Sequence, residues 1–190
     1  MHNPAEKRKS LFKRFSLPEN TEKLYPFQLS GGMARRVLVS TALITDAQLI
    51  IADEPTPGMS LGQALEALQM FRELANEGKA VILITHDIDL AFEFADRVAV
   101  FYAGTTVETA PVKDFKIGPD ALRHPYSKAL WRALPQNGFQ SIDGFQPYAG
   151  NLPKGCLFAP RCPYATQQCQ NQVPPTREIR GGEVRCFHAT

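Results

Sequence analysis

Two carboxylates close a short apolar segment in this chain of 190 residues. The segment AQLIIADE ends on Asp53 and Glu54. A carboxylate at a strand end can hold Mg²⁺, and a neighbouring carboxylate can orient a water molecule for in-line attack on a phosphate group. The pair therefore allows phosphoryl-transfer chemistry, although many solvent-exposed strand ends have the same composition.

The elements that must position these carboxylates alternate between strand and helix. Ser30 is suited to cap a helix that begins at Gly31, and Gly78 is suited to end a later helix. Apolar strands that alternate with helices predict an α/β layer with a parallel sheet. The predicted order is helix 31–44, strand 47–54, helix 61–76, strand 80–87, a helix that contains Phe92, and strand 97–104.

From Pro111 onward the alternation of strands and helices gives way to a different sequence composition. One short helix is predicted in HPYSKALWRALP (124–135), and the sequence after Pro135 is rich in loops and contains all four cysteines. The cysteines are spaced C-x5-C-x6-C-x16-C, which matches neither the usual zinc pairs nor the ferredoxin patterns. The residues alone leave zinc, an iron–sulfur cluster and four free thiols open.

Composition excludes several classes of protein. A hydrophobic fraction of 44% and a net charge of +2 are typical of a soluble globular chain and indicate no nucleic-acid partner. The apolar segments are too short to span a membrane, and no signal peptide is recognisable, so we expect a cytosolic protein with reduced thiols. The basic cluster at 7–14 is either a solvated helix face or a docking strip, and the former is favoured.

Three motifs in order, LSGG at 29–32, DEPT at 53–56 and THD at 85–87, resemble the ATP-binding cassette (ABC) ATPases. In that family the LSGG signature grips ATP held by the opposing subunit, and a helix N-terminus suits the phosphates. The resemblance implies that Asp53 binds Mg²⁺, that Glu54 is the catalytic base and that His86 contacts the γ-phosphate. The ATP-binding signature residues would be Gln28, Leu29, Ser30, Gly31, Gly32 and Met33.

Two features depart from the family pattern. The phosphate-binding pattern G-x-x-x-x-G-K-[ST] does not occur in these residues, so the chain is expected to be the second half of a cassette, truncated at its N-terminus. Between Pro57 and Ser60 the sequence differs from the family's loop, and Ser60 stands near the place of an aspartate. This change predicts weaker communication between the two sites of a cassette pair.

The C-terminal part resembles the extension found in the ATPase subunits of dipeptide, oligopeptide and nickel importers. The resemblance rests on HPYSKALWRALP, LPKGCLFAPRCPYATQQC and VRCFH. It implies a cassette portion at 1–110 and an extension at 111–190. Some family members hold a [4Fe–4S] cluster, which gives the hypothesis that Cys156, Cys162, Cys169 and Cys186 are ligands. His188 is either a spare ligand or a surface histidine, and the latter is favoured.

The resemblance implies a subunit that binds and hydrolyses ATP to energise import of peptides or nickel. Its partners would be a second ABC ATPase subunit, membrane permease subunits and, indirectly, a substrate-binding protein, with the chain on the inner face of the cell membrane. The alternative is a non-catalytic cassette fragment that acts as an interaction module. Because unpaired strand edges and apolar faces would need cover, we also predict poor solubility of these residues alone.

Overall fold

A computed structural model describes residues 4–190 and divides into two compact units, Met1–Leu90 and Ala91–Thr190. Short 3-10 turns occur at Glu19–Lys23, Pro26–Gln28, Pro135–Asn137 and Ala159–Arg161. The longer elements are α1 (Pro4–Arg14), α2 (Gly31–Leu43), β1 (Leu49–Asp53), α3 (Leu61–Asn76), β2 (Ala80–Ile84), α4 (Ile88–Phe94), β3 (Arg97–Tyr102), β4 (Thr105–Pro111), α5 (Val112–Ile117), α6 (Pro125–Ala133), α7 (Gln167–Asn171), β5 (Arg177–Ile179) and β6 (Gly182–Val184).

The first unit is built on a parallel pair of strands. β1 and β2 align from Leu49 opposite Ala80 to Asp53 opposite Ile84. The helix that joins them, α3, begins at the capping hydroxyl of Ser60 and contacts β2. The buried residues of this helix recur every three or four positions, which is why the sequence pattern predicted the helix correctly. The buried residues of α3 are Ala64, Ala67, Leu68, Phe71 and Leu74.

The parallel pair has one buried and one exposed face. Ile50 and Ala52 are buried, whereas Ile51 is 61% exposed and its partner Ile82 is 48% exposed. Side chains alternate between the faces of a strand, so an apolar residue at every position leaves an apolar outer face. This face is the physical basis of the predicted poor solubility, which stays a prediction.

The third predicted strand does not join the parallel pair, and that expectation was wrong. β3 pairs antiparallel with β4 through a tight turn at Ala103 and Gly104, whose φ angles are +49° and +81°. A two-residue turn with positive φ matches the twist of a hairpin and directs the chain back beside β3. The second sheet has the order β3-β4-β6-β5, and all its pairs are antiparallel.

The second unit packs its core between this sheet and the helices α5 and α6. Tyr102, Leu122 and Phe158 are almost fully buried there. The units divide at residue 90, before the hairpin, because β4 pairs with β6 near the C-terminus. The predicted boundary between a cassette portion at 1–110 and an extension at 111–190 stays a proposal. No helix in the described range is long and apolar enough to cross a bilayer.

Candidate functional site

The signature segment forms the start of helix α2. Ser30 has extended backbone geometry, and its Oγ accepts a hydrogen bond of 3.2 Å from the Met33 amide. The Gln28 side chain accepts from the Tyr25 amide at 2.9 Å and fixes the preceding turn. The first amides of an α-helix have no partner within the helix, so those of Gly31 and Gly32 remain available to an anion.

The glycines of the signature leave this helix end open. A Cβ atom added to Gly31 would meet no atom within 4 Å, and one added to Gly32 would meet only an Arg36 nitrogen at 3.9 Å. Leu29 and Met33 are partly buried, whereas Ser30 is exposed. The segment thus presents amides and a hydroxyl at a surface where a phosphate group can approach closely.

Glu54 and His86 come together at the ends of the two parallel strands. The Nδ1 atom of His86 lies 2.9 Å from Oε1 of Glu54. The Glu54 amide donates to the Ile84 carbonyl at 2.9 Å, which extends the ladder by one step past β1. The hydrogen bond with Glu54, followed by its negative charge, raises the pKa of His86 above the ordinary 6.5.

Glu54 also has two features expected of a residue held for chemistry. Its φ angle is +44°, a conformation that costs a non-glycine residue roughly 1–3 kcal/mol. Its second carboxylate oxygen, Oε2, is buried and has no hydrogen-bond partner in the described chain. A buried oxygen without a partner indicates a place for a water molecule or a ligand.

Asp53 is the last residue of β1 and is exposed beside Glu54 in sequence. In residues 4–190, no hydrogen bond or ion pair joins the signature segment to Asp53, Glu54 or His86. In these residues the structure therefore joins Glu54 to His86 by a hydrogen bond but joins neither to the signature segment.

The four cysteines of the second unit line one small cavity. Its volume is about 10 Å³, enough for roughly one water molecule, and His124 and His188 also line it. The Cys156 amide donates to the Cys169 carbonyl at 2.8 Å. Only glycine fits at position 155, because a Cβ atom there would lie 2.3 Å from the same carbonyl oxygen. Distant parts of a loop-rich sequence thereby bring the four cysteines to the wall of one cavity.

Burial is the main influence on these thiols. It raises the pKa of Cys156, Cys162 and Cys186, and charge repulsion from Cys169 raises the pKa of all three further. Backbone amides act in the opposite direction, among them those of Phe158 and Tyr164. In the described residues, however, no three histidine, cysteine or carboxylate side chains are close enough together to hold a metal ion as they stand.

The cavity wall is positioned by a buried polar network that sequence reasoning missed. Glu108, on β4, accepts from the His124 amide at 2.8 Å and from the Arg123 amide at 3.0 Å. The Arg123 guanidinium also donates to Asp114 at 2.8 Å and to the Ile179 carbonyl at 2.6 Å. Glu108 and Arg123 belong to no recognisable sequence motif, so no sequence signal indicated this network.

The comparisons with known proteins agree with the geometry. The ABC transporter family matches residues 3–57, and the family described as the oligopeptide/dipeptide transporter C-terminal region matches residues 107–169. The dipeptide transport ATP-binding protein DppD of Haemophilus influenzae is 39% identical over 175 residues, 89% of this chain and 52% of the relative. The chain combines part of an ABC transporter ATP-binding domain with the C-terminal region of the oligopeptide/dipeptide transporters.

Two further relatives of this ABC chain are informative. The oligopeptide transport ATP-binding protein AppD of Bacillus subtilis is 39% identical over 180 residues, 91% of this chain and 54% of the relative. DppD of Escherichia coli is 38% identical over 186 residues, 94% of the chain and 56% of the relative. The chain spans about half the length of the curated relatives it matches.

Solved structures show the same fold. CbiO1 of Clostridium perfringens, part of the ABC transporter complex cbiONQ, is 26% identical with a TM-score of 0.54 over 60% of this chain and 45% of that one. The dimeric structure of MJ0796, a bacterial ABC transporter cassette, is 27% identical with a TM-score of 0.50 over 59% of this chain and 49% of that one. These similarities confirm the predicted α/β class.

Proposed function

We propose that this ABC chain is an ATP-binding subunit that energises peptide import. The observation that carries the proposal is the contact of Glu54 with His86 at the ends of β1 and β2, beside an unpartnered carboxylate oxygen. The relatives that it matches are named for dipeptide and oligopeptide transport. Nickel is the alternative cargo that the sequence left open.

In this proposal Glu54 is the base that orients the attacking water, and its buried Oε2 is the atom that receives the water's proton. His86 holds the other carboxylate oxygen and contacts the γ-phosphate. Asp53 is the ligand of Mg²⁺, which would neutralise charge on the phosphate groups during transfer. Each residue lies on the parallel pair of strands or within two residues of it.

The signature acts on a second nucleotide. Ser30 and the amides of Gly31 and Gly32 face outward at the start of α2, so they can contact a γ-phosphate that another subunit holds. The neighbouring signature residues Gln28, Leu29 and Met33 fix this helix end. We therefore propose a second ABC ATPase subunit, identical or different, as the direct partner.

The remaining partners follow from the family. Membrane permease subunits would receive the motion of the paired cassettes, and a substrate-binding protein outside the cell would deliver the peptide to them. The chain would work in the cytoplasm, at the inner face of the membrane. Nucleic acid has no part in this proposal.

One observation favours the alternative of a non-catalytic interaction module. The Ser60 hydroxyl caps α3 by accepting from the Gln63 amide at 3.4 Å, where the family pattern places an aspartate. A neutral residue there removes a charge from the loop that follows Glu54. Binding to a partner cassette without any hydrolysis would be the signature of this alternative.

Hydrolysis measurements separate the two functions. The purified 190-residue chain is assayed for phosphate release from Mg-ATP alone and after mixing with an intact partner cassette. We expect stimulation in the mixture, and a Glu54→Gln chain should lose any turnover that depends on its own site while still binding. The matched variant Glu66→Gln, on the exposed side of α3, should have no effect. Turnover in the mixture that is identical with and without this chain would contradict the proposal.

We further propose that Cys156, Cys162, Cys169 and Cys186 hold a [4Fe–4S] cluster. Their convergence on one cavity supports it, since four cysteines are the ligand set that such a cluster takes. The cavity has room for about one water molecule, so the ligand loops would have to move apart to admit a cluster. Anaerobic purification with iron and sulfide analysis tests this, and stoichiometric zinc without sulfide would contradict it.

A further inference from the structure

The Cys169 sulfur is surrounded differently from the other three. His188 Nε2 lies 3.3 Å from Cys169 Sγ, and Thr166 Oγ1 lies 3.4 Å from the same atom. The threonine oxygen and the histidine nitrogen are also 3.4 Å apart. A hydroxyl, an imidazole nitrogen and a thiol sulfur therefore form one triangle on the wall of the cysteine cavity.

Within the described chain, Cys169 is the only one of the four cysteines whose sulfur contacts polar side chains. The sulfur atoms of Cys156, Cys162 and Cys186 are stabilised by backbone amides, and the His188 amide lies 3.4 Å from Cys186 Sγ. Backbone amides are fixed by the fold, whereas Thr166 and His188 can be changed by substitution. His188 thus contacts two of the four sulfurs, one through its ring and one through its main chain.

A thiolate bound to a metal can only accept hydrogen bonds, so both neighbours of Cys169 must then act as donors. The threonine hydroxyl can donate to Sγ, and the imidazole can do so when Nε2 carries the proton. Outer groups of this kind orient a ligand and tune the metal centre. Hydrogen bonds to sulfur also favour the reduced, more negative form of an iron–sulfur cluster.

We infer that His188 and Thr166 are positioning residues that donate hydrogen bonds to the Cys169 sulfur and hold it as a ligand. This inference rests on the cluster proposed above. It makes Cys169 the ligand whose bond to iron depends on side chains, and it gives a role to a histidine that the sequence favoured as an ordinary surface residue.

The test uses the full chain, purified anaerobically or reconstituted with iron and sulfide. His188→Phe keeps an aromatic ring without a donor, His188→Gln keeps an N–H donor, and Thr166→Val removes the hydroxyl. Thr176→Val is the matched control, because the Thr176 hydroxyl contacts Arg185 and none of the four sulfurs. The readouts are iron retained against a chelator, the reduction midpoint potential and the electron paramagnetic resonance spectrum of the reduced cluster.

We expect His188→Phe to lose iron about 10-fold more readily and to have a lower midpoint potential. His188→Gln should restore most of both, and Thr166→Val should shift both in the same direction as His188→Phe. The control should match the unmodified chain. A potential and a spectrum unchanged in His188→Phe would overturn the inference while leaving the cluster in place.

Two other results would also overturn it. Iron retained in His188→Phe but lost in His188→Gln would show that ring packing, rather than hydrogen bonding, retains the cluster. An unmodified chain that takes up no iron and sulfide would remove the cluster proposal itself, and the inference with it. Circular dichroism of the iron-free variants checks folding. The spectra of the His188 variants should match that of the unmodified chain, because the His188 side chain is exposed.

Discussion

His86 Nδ1 lies 2.9 Å from Glu54 Oε1 because two parallel strands end side by side. Ile84 is opposite Asp53 in the ladder, so the residues that follow each strand emerge at the same sheet edge. The imidazole is exposed and the carboxylate is partly buried, with one oxygen paired and the other unpartnered. The pair is therefore held by the backbone, and its imidazole remains accessible to a ligand.

The Glu54 carboxylate should control the titration of His86. The hydrogen bond and the negative charge raise the pKa of His86, so the imidazole is still protonated at pH 6.5 and loses its proton as pH rises through the raised pKa. Glu54→Gln should return the His86 titration toward 6.5, measured by NMR of the imidazole protons. Asp53→Asn is the control, since Asp53 does not contribute to the shift. Equal His86 titrations in the Glu54→Gln and unmodified chains would contradict the pairing.

Two serines with the same structural role should differ in function. Ser30 and Ser60 each cap a helix, by accepting from Met33 and Gln63 respectively. Replacement of either by alanine should cost about 1 kcal/mol of unfolding free energy. Only Ser30→Ala should also lower the ATP turnover of the mixture with an intact cassette, because only Ser30 lies in the signature. Equal turnover in the two variants would remove the proposed phosphate contact.

Sequence reasoning succeeded where local pattern and local structure coincide. The helix over 61–76 was predicted to the residue, since its apolar stripe, its Ser60 cap and the following Gly78 all agree. β1 was predicted to begin two residues too early and to end one residue too late, and β2 was predicted to end three residues too late. The contact of Glu54 with His86 could be expected once parallel strands were inferred.

It failed where distant parts of the chain decide the structure. The apolar pattern of RVAVFYAG predicts a buried strand but does not say which strand it pairs with. The positive φ angles at Ala103 and Gly104 form the tight turn that makes it half of a hairpin. The pairing of Thr109 with Glu183 joins segments far apart in sequence, and no local signal predicts it. The same holds for the contact of Thr166 with His188, which depends on how two loops pack.

Buried His124 should make the second unit sensitive to acid. Its Nδ1 accepts from the Tyr126 amide at 3.0 Å, and burial lowers the pKa of His124 to about 4. The unfolded chain takes up a proton near 6.5, so stability is complete above that pH and is lost as pH falls toward 4, by about 3 kcal/mol in total. Urea unfolding followed by Trp131 fluorescence, between pH 7 and 5, measures the loss.

The control for this experiment is the exposed His86. His86→Gln should leave the acid sensitivity of the Trp131 signal intact, because His86 is exposed and lies in the first unit, whereas Trp131 lies in the second. His124→Gln should be less stable at pH 7 but should lose most of the dependence on pH. An unmodified chain equally stable at pH 7 and pH 5 would show that the buried imidazole accommodates a proton.

Arg123 should be the most costly charged residue to replace in the second unit. Its guanidinium is 3.3 Å from Glu108 and 2.8 Å from Asp114, and its side chain is only 1% exposed. Arg123→Met would leave two carboxylates buried without their cation, which costs about 3–5 kcal/mol. Arg132→Met, at an exposed position of α6, should change stability by at most about 0.5 kcal/mol. Urea unfolding of both variants by Trp131 fluorescence decides, and similar midpoints would show that the buried carboxylates find other partners or protons.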